Sequence, residues 1–329
     1  MESAGIYVPG GLYPLISSAL MGIIPAYCAG VDSVCFASPP GLDGLPDVNL
    51  LGAAGIAAQV CDKLGINSLE TGFRCFAMGG AQAIAALALG TETVLRCDVV
   101  AGPGNKYVVA AKRVLFGNAG IDFVAGPSDI LAIIDEKSSF DLAAIDMLAQ
   151  AEHDPDARAR ALVPSTDAAK QLEMALEKHL GNLPLETSQK IARQSLASGG
   201  LIVIYNDMAQ AIKIANTIAP EHLELHVSGA ENWVPSLKNF GSLFIGELSA
   251  EVLGDYSSGL NHTLPTSGSA RFTSSFSVRY FLKTLTTLRC ENRSEKSDGY
   301  ITALKAAETI ARAEGLEAHA ASAKTRLNN

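Results

Sequence analysis

Along most of the chain, short apolar runs alternate with longer Ala- and Leu-rich stretches, and Gly or Pro marks nearly every change of pattern. Ile6-Tyr7-Val8 followed by Pro9-Gly10-Gly11 reads as a strand and a tight turn, Leu15 to Val31 as a buried helix, and Ser33 to Ala37 as a short buried strand. A loop from Pro39 to Pro46 precedes a helix from about Leu50 to Leu64. Phe76 to Gly80 running into Ala81 to Leu87 is a strand end, a glycine turn and a helix start. Asp98 to Ala101 repeats that layout with Gly102-Pro103-Gly104-Asn105, and its helix runs to about Leu115. The second half continues the alternation, with strands at Ile130 to Ile134, near Arg160 to Val163, at Leu201 to Tyr205 and at Ser242 to Ile245. Helices are expected from about Phe140, up to about His179 and up to about Asn216, and the chain turns helical from Phe276. Strands alternating with helices imply parallel sheets with helices on both faces.

Composition narrows the class. The 329 residues suffice for roughly two domains, and 48% hydrophobic with 18% charged residues describes a globular chain with ample core. The 34 acidic against 25 basic residues leave a net charge of -9, without the basic excess of a nucleic-acid binder. The six cysteines form no Cys-x-x-Cys pair and lie mostly in apolar runs, as buried thiols do in a reducing compartment such as the cytoplasm. The apolar stretch near the N-terminus follows Glu2 and precedes the first basic residue, Lys63, so it lacks the positive region of a signal peptide. Gly22 and Pro25 interrupt it short of a membrane span.

Candidate chemistry concentrates at a few places. Ala219-Pro220-Glu221-His222-Leu223-Glu224 sets a carboxylate beside an imidazole, the pair that can move a proton and orient a water near neutral pH, although a solvated surface pair has the same spelling. Gln150 and His153 are three apart and share one helix face, either as a polar helix end or as ligands. Gly254 to Thr266, with Asp255, Tyr256, Asn261 and His262, is the least core-like segment, a polar loop suited to binding. Four of the six histidines occupy polar, small-residue contexts that could converge on one site. The two glycine turns serve either tight packing or phosphate approach beyond the carboxyl ends of strands, and neither spells the dinucleotide fingerprint.

Taken in order, Gly102-Pro103-Gly104-Asn105, Ala125-Gly126-Pro127-Ser128, Gln150-Ala151-Glu152-His153, Ala219-Pro220-Glu221-His222-Leu223, Gly254-Asp255-Tyr256, Asn261-His262-Thr263-Leu264-Pro265-Thr266 and Glu314-Gly315-Leu316 with His319 resemble the motif set of the histidinol dehydrogenase family. The resemblance runs from about Gly5 to Arg326. It implies an α/β protein of two Rossmann-like parallel-sheet domains, at 1–128 for NAD and 129–276 for zinc and catalysis, and a helical tail at 277–329. It also implies a zinc-containing, NAD-dependent oxidation of histidinol to histidine through the aldehyde, in a cytoplasmic homodimer with a shared active site and no nucleic-acid or membrane partner.

Residue by residue, the resemblance assigns zinc to Gln150, His153, Asp255 and His319, and catalysis to Glu221 and His222. Ser128, His262 and Glu314 match substrate contacts, which His222 and the zinc ligands join, and Tyr7, Gln82 and Asn105 match cofactor contacts. Departures are also visible. Family members carry a sizeable segment before the Tyr-Val-Pro-Gly-Gly turn, so the first domain is expected to be incomplete at its N-terminus. Asp129 stands where the family usually has Glu, and the loop from Gly41 to Gly55 looks longer than usual. The other readings are a relative acting on a different polar diol or amino alcohol and a truncated, inactive homologue. A zinc hydrolase leaves the two glycine turns without a purpose.

Overall fold

The protein was studied as a computed structural model that describes residues 1–10, 14–66, 73–123, 126–290 and 297–328. Gly11 of the first expected turn and Ala125 of one glycine motif lie outside them. The first half contains β1 (Ser3–Tyr7), α1 (Ile16–Cys28), β2 (Ser33–Ser38), α2 (Val48–Lys63), β3 (Arg74–Ala77), α3 (Gly80–Leu89), β4 (Val99–Ala101), α4 (Lys106–Leu115) and β5 (Gly120–Ile121). The second half contains β6 (Asp129–Ile134), α5 (Phe140–Ala151), β7 (Arg158–Val163), α6 (Thr166–Asn182), α7 (Glu186–Gly199), β8 (Leu201–Ile204), α8 (Met208–Ile218), β9 (His222–His226), β10 (Ser242–Ile245) and α9 (Glu251–Tyr256). Helices α10 (Asp298–Ala313) and α11 (Glu317–Asn328) follow. Contacts separate the chain into two compact units, Met1–Lys283, which holds both sheets, and Thr284–Asn329, which holds the last two helices.

Each sheet has five parallel strands, ordered β3-β2-β1-β4-β5 and β10-β9-β6-β7-β8. The α/β expectation from alternating apolar runs is therefore met. Local chemistry sets several helix starts: Asp47 caps α2, Asn105 caps α4, Ser139 caps α5 and Asp207 caps α8 by accepting from backbone N–H groups of the first turn. Among the described residues, no helix is long and apolar enough to cross a membrane. All six cysteines are free thiols.

In the first sheet the order turns back at β1, so its switch point lies between β1 and β4. Here Gly102, at φ +120°, follows β4, and a Cβ on it would collide with the carbonyl of Tyr7 at the end of β1. A buried ion pair holds this turn: Lys112 Nζ lies 2.7 Å from Asp122 Oδ1 and also donates to the Gly102 carbonyl, while Asp122 Oδ2 accepts from Gly102 N at 2.8 Å.

In the second sheet, side-chain alternation separates two layers. Ile130, Ala132 and Ile134 of β6 pack with Ala143, Met147 and Leu148 of α5, while Leu131, Ile133, Leu223 and Leu225 pack on the other face with Ile212 and Ala215 of α8. Because Ile130 is in register with His222, the residues His222, Glu224 and His226 of β9 face the α5 side.

Three sequence expectations change. Gly254-Asp255-Tyr256 is not loop but the end of the short helix α9. Phe276 does not begin a helix: a single 3-10 turn spans Val278–Phe281, and α10 starts at Asp298, where Ser297 supplies a cap that the segment near Phe276 lacks. Glu221-His222 is not a free-standing polar pair, because His222 opens β9, a strand buried at all five positions.

Replacing Lys112 with Met should destabilise the protein by about 3–5 kcal/mol, since Asp122 then stays buried without its counter-charge. Urea midpoints read the loss, and the double variant Lys112→Met/Asp122→Leu should recover most of it; a single variant as stable as the parent would contradict the role given to this pair.

Candidate active site

The site is built at one edge of the second sheet. Helix α8 must stop before Pro220, and it does so through Ala219 in the left-handed region at φ 51°, a conformation that costs an alanine roughly 1–2 kcal/mol. The chain then turns into Glu221, where a reciprocal pair of hydrogen bonds fixes it: Asp129 N donates to Glu221 Oε2 at 2.9 Å, and Glu221 N donates to Asp129 Oδ1 at 2.7 Å. Arg160 Nη2 lies 3.6 Å from Asp129 Oδ2 behind this lock. Gly241 packs where a Cβ would collide with the Glu221 carbonyl, so β10 approaches closely.

Glu221 and His222 thus sit at the amino ends of strands β9 and β6. This differs from the expectation that ligands lie beyond the carboxyl ends. The difference follows from helix direction: α5 and α9 run back across the sheet and touch each other, and the side chains of α9 meet the amino end of β9. An open cleft of about 490 Å³ at the opposite edge, lined by Asp135, Ser138, Ser228 and Glu247 among others, contains none of the candidate residues.

Around His222 the groups are close but not satisfied. Its Nδ1 is 3.5 Å from Glu251 Oε1 and its Nε2 is 3.6 Å from Asp255 Oδ1, both too long for good hydrogen bonds. Among the described residues, Gln150, at 1% exposure, has no hydrogen-bond partner on either amide atom, and Asp255 Oδ1 has none either. Orphaned donors and acceptors at this depth are costly, which marks a place where something else completes the set. His222 meets Asp255 directly, and His153 and His262 lie near enough for their charge to act on it. His262 Nε2 is 2.8 Å from Ser18 Oγ of α1, and Asn261 Nδ2 donates to Met21 O at 2.8 Å, so this loop joins the helix of the first sheet to the site. His153 is exposed just past α5, and Ser128 is half-buried immediately before β6.

Burial acts on each titrating group here. It pushes the Glu221 carboxyl up to about 8, against the opposing pull of the His222 charge. Burial also holds Glu251 well above the usual carboxylate range. For His222 burial works downward, but Glu251, the contact with Asp255 and Glu221 outweigh it and lift the imidazole to about 10. The Asp255 carboxyl is lowered although burial opposes this, because the His222 contact favours its charged form.

The three cofactor candidates lie at the carboxyl edge of the first sheet. Tyr7, at the end of β1, is buried and its hydroxyl accepts from Gly80 N at 3.1 Å. Gln82 is exposed in the first turn of α3. Asn105 caps α4 with Oδ1 accepting from Tyr107 N at 3.0 Å and Val108 N at 3.2 Å, a bond set that does not use its amide nitrogen. Tyr7 and Asn105 flank the switch point, and both glycine turns open helices there. Glu314 and His319 belong to the other compact unit, where Glu314 ends α10, His319 lies on α11, and both are exposed.

Sequence reasoning missed Glu251, which faces His222 from a helix too short to show a period. It also left unassigned Asp129, Asp146, Glu224 and His226. The signal for the last two was present in the alternation His222-Leu223-Glu224-Leu225-His226, which is a strand with one polar face.

The histidinol dehydrogenase family profile matches residues 1–327. A histidinol dehydrogenase from Thermus thermophilus is 45% identical over 98% of this chain and 72% of its own length, and one from Pseudomonas aeruginosa is 43% identical over 99% and 69%. The crystal structure of histidinol dehydrogenase from Elizabethkingia anophelis is similar with a TM-score of 0.88 at 36% identity, over 99% of this chain and 71% of that one. With a profile that spans nearly every residue and relatives this similar, the chain belongs to the histidinol dehydrogenase family.

Proposed function

We propose that the chain oxidises histidinol to histidine through the aldehyde, with two hydrides passed to NAD, in histidine biosynthesis. The proposal includes a zinc site at Gln150, His153 and Asp255, completed in a cytoplasmic homodimer by the partner's His319, with NAD in a first domain at 1–128 and catalysis in a second at 129–276. The observation that carries this reading is His222 held between Glu251 and Asp255, together with a buried Gln150 amide that has no hydrogen-bond partner among the described residues.

The donor set fits zinc. Oxygen and nitrogen donors without thiolate suit the ion and leave room for further ligands, and both Gln150 Oε1 and Asp255 Oδ1 lack partners. When bound, zinc supplies a Lewis-acid anchor for the imidazole and amine of the substrate, and NAD supplies the hydride acceptor. Ser128, His262 and Glu314 are assigned to holding the substrate, and Tyr7, Gln82 and Asn105 to holding the cofactor.

In the first oxidation the carbinol hydrogen leaves with its bonding pair as hydride, and His222 Nε2, on the Asp255 side, takes the hydroxyl proton in the neutral form that its neighbouring carboxylates disfavour, so this step quickens as pH rises toward about 10. As the aldehyde adds water, His222 returns its proton to the carbonyl oxygen and one water proton passes to Glu221, which gives the hydrate. Loss of the second hydride from the hydrate, with one hydroxyl proton taken by the freed His222, gives the acid, which ionises to the carboxylate. Asp129 keeps Glu221 aimed during this exchange through the two hydrogen bonds between them.

The purified protein loaded with zinc should form NADH with histidinol, lose that activity on chelation, and lose about 10²–10⁴-fold in kcat with His222→Ala. A folded, zinc-loaded dimer without turnover would contradict the assignment, and turnover confined to another diol or amino alcohol would move the substrate.

The pH dependence of the second half-reaction follows from Glu221. Its carboxyl is raised to about 8, so the anion that accepts a proton from water forms as pH rises through that value. Oxidation of the aldehyde, supplied directly, should therefore climb between pH 7 and 9. The Glu221→Gln variant should lose that limb, and an unchanged profile would remove Glu221 from this role.

A further inference from the structure

A second polar cluster lies under the same strand, one level deeper, and the proposed reaction does not use it. Asp146, four residues before Gln150, occupies the same face of α5 one turn earlier, while Glu224 and His226 follow His222 on the same face of β9. All three are buried, with Asp146 at 6%, Glu224 at 0% and His226 at 1% exposure. Their ligand atoms, one from each residue, lie within 4.8 Å of one another.

Neither carboxylate oxygen of Glu224 and neither ring nitrogen of His226 makes a hydrogen bond among the described residues. His226 Nε2 and Glu224 Oε2 approach at 3.2 Å, without hydrogen-bonding alignment. That separation is about the edge of a tetrahedron whose metal–ligand bonds are about 2.0 Å. Two carboxylates and one neutral imidazole carry the charge that a dication cancels; without the ion, burial and Glu224 push the Asp146 carboxyl up to about 7, and against the pull of burial Glu224 raises the His226 imidazole, so the carboxylate charge is covered only by protons. Glu247, close enough to act electrostatically on His226, adds negative potential from the cleft at the carboxyl edge.

We propose that Asp146, Glu224 and His226 bind a second divalent cation of the zinc class, distinct from the one at Gln150, His153 and Asp255. This ion ties α5 to β9 from inside the core. It takes one carboxylate oxygen from each acid, Nε2 of His226 and a water as the fourth ligand, and it has no part in the hydride chemistry.

The test is zinc content of the full chain, stripped with chelator, re-equilibrated with zinc and separated from free metal by gel filtration. The Glu224→Leu/His226→Phe variant, of similar volume and without ligand atoms at either position, should lose one equivalent per chain relative to the parent. A parent that binds one equivalent and a variant that binds none would still support this site while removing the Asp255 one. Equal zinc in parent and variant would overturn the proposal. A second arm does not depend on that variant folding: in His153→Ala/Asp255→Asn, cobalt(II) should bind one equivalent and give visible d–d bands, and a colourless, cobalt-free protein would overturn the proposal as well.

Discussion

Strand β9 is the constraint on which the rest depends. All five of its residues are buried, and the alternation of a strand turns His222, Glu224 and His226 together toward α5 while Leu223 and Leu225 enter the opposite core. Burying a polar side chain costs free energy unless a partner replaces the lost water. The chain offers His222 two carboxylates at 3.5 and 3.6 Å and offers Gln150 nothing. The apolar layers of Ile, Leu, Val and Ala on either side stabilise the sheet enough to carry this polar stripe. Among the described residues, Gln150, Glu224 and His226 keep buried polar atoms without hydrogen-bond partners.

Precision at the site comes from the backbone around it. The reciprocal Asp129–Glu221 bonds join the amino ends of two neighbouring strands, so neither the carboxylate nor the adjacent imidazole can shift without breaking a bond in the sheet. Gly241 allows β10 to close against the same turn, and Arg160 lies behind Asp129. At the first sheet the Lys112–Asp122 pair plays the corresponding part for Gly102. In both halves a buried, charge-assisted contact fixes a turn that must keep its shape for a ligand to meet it.

Much of this was legible in the sequence, for identifiable reasons. Runs such as Ile130 to Ile134 are continuous and apolar because parallel strands are covered on both faces, so the α/β class follows from them alone. Asn105 and the glycines around it read correctly as a turn into a helix, because capping is local chemistry. Glu221 and His222 stood out as a chemical pair, but not as the start of a strand, since a polar face turned inward looks like a solvated one. Glu251 was invisible for a different reason: its meaning depends on α9 folding back over β9, a tertiary contact that no local pattern encodes. The amino-edge location has the same origin, because it depends on where helices return rather than on any residue in the strands.

Helix and strand repeat at nearly matching lengths here, and that match organises the polar layer. Four residues of α5 advance about 6 Å and two residues of β9 about 6.6 Å, so Gln150 and Asp146 step along the helix as His222, Glu224 and His226 step along the strand. The helix runs opposite to the strand, which puts Gln150 with His222 at the edge and Asp146 with Glu224 and His226 further in. Two polar levels therefore arise from one packing geometry. The outer level, open to His153 and the Asn261-His262 loop, can exchange ligands, while the inner one is closed by the helix and sheet that form it. The polar edge and the polar group in the core are thus successive turns of the same contact.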